Sequence, residues 1–139
     1  MATRDIRGVV LMAHGARDPR WAEPLAAIEA RIRAQDPSLG TARAYLELMQ
    51  PDLAGAVDAL VREGRTAITV VPVFLGQGGH VRRDLPERVR EVAARHPDVR
   101  LRLVNAIGED EHVLDAITAC CLRAAHGDGS DAAASGPHP

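Results

Sequence analysis

Lysine is absent. All 17 Lys+Arg residues of the 139-residue chain are arginines, which excludes chemistry built on a Schiff-base lysine or a P-loop lysine. Aromatics are scarce: Trp21, Tyr45 and Phe74 are the whole set. A stacking platform for bases or for a flat cofactor is hard to build from so few rings. The two cysteines are adjacent, Cys120 and Cys121. Neighbours on a helix point in different directions and cannot bridge without distortion, so they fit a reducing, cytoplasmic setting. No long hydrophobic run occurs. The apolar part of MATRDIRGVVLMAHG is too short for a secretion signal, and nothing approaches a membrane span. Charge of one sign is missing too. A net charge of −2 supplies no basic field for nucleic acid.

What is present is an ordinary globular composition, 46% hydrophobic and 26% charged. The length suits one domain with a real core. Four short apolar runs, Gly8–Ala13, Ala42–Leu46, Ala67–Phe74 and Leu101–Val104, alternate with four amphipathic stretches. The third run, AITVVPVF, is nearly continuous and β-branched, as a strand buried on both faces of a parallel sheet requires. Helical spacing joins Leu25, Ile28 and Ile32, then Leu53, Val57 and Leu60, then Leu85, Val89 and Val92, and last Leu114, Ile117 and Cys121. Pro24 belongs in a first helical turn, so the first helix is predicted to start near Trp21. Pro51 and Asp52 open the second and Gly64 closes it. Asp84 with Glu87 resembles a capping box and predicts the start of the third, which Pro97 stops after His96. The order β-α-β-α-β-α-β-α predicts an α/β domain over residues 1–125: a four-stranded parallel sheet with helices on both faces. Residues 126–139 are small and polar without periodicity and read as a disordered tail.

In an open α/β sheet, ligands bind beyond the carboxyl ends of the strands. The first run exits into AHGARDP with His14 at its tip, the second into YLELMQP with Glu47, and the third into FLGQGGHVRRD with His80. A single histidine at a strand end is ordinarily a hydrogen-bonded surface residue, and Glu47 could equally be a solvated carboxylate. Two imidazoles and a carboxylate at successive strand ends weigh together toward a site. Such a set suits cobalt, iron, nickel or zinc, and neutral imidazole is also a base near neutral pH. Gly76, Gly78 and Gly79 would let the backbone turn sharply and approach a ligand closely. Arg82 and Arg83, with Arg17 on the neighbouring loop, suit an anionic, carboxylate-bearing ligand. His96 reads as a helix-end residue that complements the dipole. The cysteines fit helix packing better than catalysis.

AHGARDP, YLELMQPDL and above all VPVFLGQGGHVRRDLP resemble the CbiX/SirB-type sirohydrochlorin chelatases, class II chelatases of tetrapyrrole biosynthesis, from about Gly8 to Ala125. The length resembles the short form, one module where longer members have two. The resemblance implies ATP-independent insertion of a divalent metal into sirohydrochlorin, with no organic cofactor. His14 and His80 would bind metal and remove protons, with Glu47 at the same site. Arg17, Arg82 and Arg83 would meet substrate carboxylates, and Gly78 and Gly79 would leave room for the macrocycle, held by its edges. Co²⁺ is the first expectation, with Fe²⁺ or Ni²⁺ close behind. A homodimer with the cavity between subunits is implied as well, with no nucleic acid or membrane partner. Two departures stand out: Ala16 replaces a serine common in relatives, and GEDEH replaces a Gly-Pro-His-Pro stretch. His112 in that segment is not read as a ligand. Rival readings are a non-catalytic metal carrier, a phosphohistidine enzyme lacking the usual arginine before its histidine (Ala13 stands there), and a regulatory module.

Overall fold

A computed structural model of the protein describes residues 4–127. Strands β1 (Arg7–Ala13), β2 (Gly40–Tyr45), β3 (Ala67–Pro72) and β4 (Arg100–Leu103) form one parallel sheet in the order β2-β1-β3-β4. Side chains alternate across it, as strand geometry dictates. Val10, Met12, Ala44, Ile68 and Val70 enter the larger core. Leu11 and Tyr45, with Val9, Ala13 and Val73, face the smaller one. Helices α2 (Leu53–Arg62) and α3 (Gly79–Arg95) supply Leu53, Val57, Leu60, Leu85, Val89 and Val92 to the first. Helix α1 (Glu23–Gln35) covers the second with Leu25 and Ile32.

The helix signals act locally, with one correction. Asp52 caps α2 by accepting from the Gly55 N–H at 2.9 Å, and Gly64 follows its end with φ +88°. A 3-10 turn at Pro19–Ala22 precedes α1, and Pro24 falls in its first turn, where a missing N–H costs nothing. Helix α3, however, begins at Gly79 and not at Asp84. Gly78 is extended and takes the cap position, and its carbonyl accepts the Arg82 N–H at 3.1 Å. The reason is burial. Val81 packs against the larger core, so the apolar stripe starts one turn before Leu85 and draws the helix back over the cap-like Asp84. Pro86 is tolerated inside, and Glu87 pairs with Arg90 at 2.6 Å instead of capping.

His96 stands at the end of α3 as expected; it is half-buried and its Nε2 lies 2.7 Å from Asp58 Oδ1, so it ties the end of α3 to α2. One further expectation changes. Helix α4 (Glu111–Ala125) buries no residue, and both cysteines on it are exposed. Among the described residues, the expected face of Leu114, Ile117 and Cys121 therefore packs on neither core. Residues 128–139, most of the expected tail, lie outside the described residues.

Opposite the strand tips, Arg65 staples the sheet. Its Nη1 donates to the carbonyls of Ser38 (2.7 Å) and Arg7 (3.2 Å). Among buried acids Glu29 stands out, 7% exposed. It meets Arg33 at 3.4 Å and Arg43 at 3.3 Å, which joins α1 to β2. Leu60 is 1% exposed at the centre of the larger core. Leu60→Ala is expected to lower unfolding stability by about 3 kcal/mol, measured as a fall in urea midpoint at unchanged slope. A loss below about 1 kcal/mol would mean the core is not packed around this side chain.

Candidate functional site

The loops that leave β1, β2 and β3 are sutured by backbone hydrogen bonds that continue the sheet past its strands. The carbonyls of Met12, Ala13 and His14 accept from the N–H groups of Val73 (2.7 Å), Leu46 (3.0 Å) and Glu47 (3.0 Å). Gly15 has φ +92°, and a Cβ there would collide with the Glu47 carbonyl. Only glycine can follow His14 in this arrangement. The Glu47 carbonyl also accepts the Met49 N–H at 2.8 Å. That tight turn sets Leu48 at φ 65°, a conformation a branched side chain adopts at some cost. It leaves Leu48 61% exposed beside Glu47.

His14 and Glu47 are exposed at the strand tips. The His14 ring lies on Phe74, centroids 4.6 Å apart and tilted by 32°. Phe74 is buried, so the exit of β3 fixes the imidazole at the exit of β1. His80 is exposed in the first turn of α3. Among the described residues, no group of three or more His, Cys, Asp and Glu side chains stands close enough to hold a metal ion. His14 and Glu47 thus stand just past the ends of β1 and β2 and His80 on the first turn of the helix that follows β3, without closing into a ligand set.

The arginines divide. Arg82 lies 3.3 Å from Glu109 across the groove below β4. Arg83 Nε donates to the Gly79 carbonyl at 3.3 Å and stays exposed. Arg17 is exposed on the first loop. Arg88 of α3, not singled out from sequence, reaches the Leu46 carbonyl at 3.4 Å and ties that helix to the second loop. Gly76, Gly78 and Gly79 do not turn through left-handed backbone. An added Cβ at any of them would meet open space. Their contribution is clearance for a neighbour and not a sharp bend. His112 is exposed and its backbone N–H is capped by Asp110 at 2.8 Å.

An apolar cavity of about 530 Å³ opens beside His14, with Ala16, Ile28, Leu75 and Gly76 in its wall. All three aromatics of the chain, Trp21, Tyr45 and Phe74, line it. The scarcity of rings had argued against a stacking surface, but the fold spends every ring it has here. Trp21 is 72% exposed and Leu75 69%. Trp21 stands on the 3-10 turn capped by Asp18, whose carboxylate accepts from the Arg20 backbone N–H at 3.0 Å. The Arg20 guanidinium, 2.6 Å away, holds the Asp18 carboxyl below its ordinary range, so the cap stays ionised. The tryptophan was visible as RDPRW, immediately after the histidine loop. Its turn toward the cavity was not, because that depends on where α1 begins.

This geometry has known counterparts. The B. subtilis SirB sirohydrochlorin chelatase in complex with cobalt superposes with a TM-score of 0.71 at 28% identity, covering 84% of this chain and 50% of that one. A CbiX protein from Marinobacter aquaeolei VT8 superposes at 0.72 with 32% identity, covering 87% of this chain and 98% of that one. In sequence, the chain is 32% identical over 111 residues to a sirohydrochlorin ferrochelatase of Bacillus subtilis, covering 80% of this chain and 42% of the relative. It is 25% identical over 108 residues to a sirohydrochlorin cobaltochelatase of Sulfolobus acidocaldarius, covering 78% and 84%. The chain thus spans less than half the length of the Bacillus relative. The CbiX family model matches residues 8–123, nearly all of the sheet and its helices. With fold and family match in agreement, the chain belongs to the CbiX family.

Proposed function

We propose that this protein is a sirohydrochlorin chelatase that inserts a divalent metal, Co²⁺ first and Fe²⁺ or Ni²⁺ as competitors, without ATP. The observation that carries the reading is the His14 imidazole, fixed on Phe74 at the mouth of an apolar cavity. A flat macrocycle needs an apolar shelf, and metal insertion needs a base at its edge. Relatives named for both iron and cobalt support the reaction class without choosing the metal. Divalent affinity rises from iron through cobalt to nickel at most nitrogen and oxygen sites, so supply and geometry decide.

In this mechanism His14 and His80 take up the incoming ion, with Glu47 balancing its charge. The macrocycle settles on the exposed Trp21 and Leu75. Its carboxylates meet Arg17 and Arg83, and one displaces Glu109 from Arg82. Gly78 and Gly79 leave clearance on the approach. As the ion passes to the four ring nitrogens, two pyrrole N–H protons leave. Neutral imidazole accepts them and releases them to water. The short chain acts as a homodimer with a second copy closing the cavity, in a cytoplasm that keeps Cys120 and Cys121 reduced. The domain is taken as residues 1–125.

His80→Ala is expected to lower kcat/KM for insertion at least 100-fold, within the usual range for a lost base. His80 is exposed, so the melting temperature should hold. Near-normal turnover in the folded variant would overturn the mechanism.

Trp21→Ala is expected to raise the KM for sirohydrochlorin about tenfold with little change in kcat, while Trp21→Phe retains most of the affinity, given roughly 1–3 kcal/mol per ring stacked on an aromatic. Equal KM in all three proteins would remove Trp21 from the binding surface. Trp21 is the sole tryptophan, so quenching of its fluorescence reports docking directly. Quenching without insertion would leave a binding protein and not a chelatase.

A further inference from the structure

The three most exposed large apolar side chains among the described residues are Trp21 (72%), Leu75 (69%) and Leu48 (61%). They stand on the segments that leave β1, β3 and β2, beyond Ala13, Pro72 and Tyr45. The cavity beside His14 accounts for Trp21 and Leu75, which line it. Leu48 is not in that wall, and neither core contains it.

Leu48 is also held at a cost. Among the described residues it is the one residue other than glycine with a positive φ, 65°. Across it the Met49 N–H donates to the Glu47 carbonyl at 2.8 Å. This closes a three-residue turn with a left-handed centre, a rare and strained form. Glycine adopts such backbone freely and asparagine readily, whereas a leucine Cβ meets the following carbonyl.

The surroundings fix the turn from both sides. The Glu47 N–H donates to the His14 carbonyl at 3.0 Å, and the Tyr45 N–H donates to the Pro51 carbonyl at 3.0 Å. The Glu47 carbonyl lies so close to Gly15 that a Cβ there would collide with it. Leu46 packs against the larger core and Met49 against the smaller one. Leu48 alone stands at the apex. A leucine that gains no burial from the fold and strains its own backbone does not stabilise the chain. Strain of this kind, held by its surroundings, gathers at functional sites.

We propose that Leu48 is a third apolar contact for the macrocycle, on the β2 flank of the site. The inference rests on the chelatase reading. His14 follows β1 and Glu47 follows β2, so a ring whose centre both residues serve extends past the cavity toward β2. Leu48 is the exposed apolar side chain on that flank. Because β1 lies between β2 and β3, Leu48 and Leu75 stand on opposite sides of the His14 segment. Contact with both keeps the ring from sliding along the sheet edge.

Leu48→Asn, Leu48→Gly and Leu48→Met test the proposal in the full chain. Metal-free sirohydrochlorin is titrated against each, read by quenching of Trp21 fluorescence, and each is assayed for Co²⁺ insertion. Leu48→Asn and Leu48→Gly are expected to weaken binding about tenfold, equivalent to about 1.4 kcal/mol for a partly covered leucine. The KM rises by the same factor and kcat stays nearly constant. Leu48→Met retains most of the affinity. The melting temperature of Leu48→Asn holds or rises, because strain is relieved with no packing lost. Equal affinity in wild type, Leu48→Asn and Leu48→Gly would overturn the proposal and leave the chelatase reading in place. So would a melting temperature several degrees lower in Leu48→Asn, which would make Leu48 a packing residue. A changed sedimentation coefficient in Leu48→Asn would overturn it too, by placing Leu48 between copies of the chain. Absence of quenching in the wild type would remove the chelatase reading, and this proposal with it.

Discussion

Three backbone carbonyls at the end of β1, those of Met12, Ala13 and His14, hold the site together. β1 lies inside the sheet between β2 and β3, so its carboxyl end can accept from loops on either side. The Val73, Leu46 and Glu47 N–H groups take these acceptors in turn. These bonds carry the parallel ladder to the end of β1 and into the loops that bear His14 and Glu47. Burying a backbone polar group unpaired is costly, so the loops have little freedom to leave. Gly15 and the tight turn at Leu48 follow from the same crowding, because both let the Glu47 backbone approach His14.

Apolar burial beneath this suture makes it rigid. Phe74 is 5% exposed and sits under the imidazole. The core that holds it also holds Leu85 and Ala106, so α3 and the segment after β4 are referred to the same place. The arginines act at the rim in a second way. Arg82 with Glu109 links α3 to the segment beyond β4, and Arg88 links α3 to the loop beyond β2. In a chain without lysine, planar guanidinium groups do both the stapling of backbone carbonyls and the charge pairing. The cavity beside His14 is the concave, apolar product of these constraints, with the imidazole among its lining groups.

The sheet and the positions of His14 and Glu47 just past β1 and β2 were legible because they depend on local pattern, apolar runs of strand length, whereas His80 stands in the first turn of α3. The start of α3 was misread, because Asp84 and Glu87 imitate a cap while Val81, a lone apolar residue beyond them, outweighs them by burial. The aromatic surface was missed for a different reason. Counting rings says nothing of their convergence, and Trp21, Tyr45 and Phe74 come from three separate segments. The exposure of α4 was also beyond pattern. A stripe at helical spacing marks a candidate buried face, and among the described residues this one is left exposed. Arg82 and Arg83 were read as lying before the third helix and stand inside it, and the Glu109 partner needed the β3–β4 adjacency to appear.

We propose that this edge of the sheet moves a metal ion into a macrocycle. The most direct measurement is the anaerobic absorption spectrum of metal-free sirohydrochlorin mixed with Co²⁺, with and without the purified protein. A protein-dependent acceleration of the shift to the metallated bands, saturable in sirohydrochlorin and repeated with Fe²⁺ or Ni²⁺ at other rates, is the expected result. Identical time courses with and without folded protein for every one of these ions would contradict it.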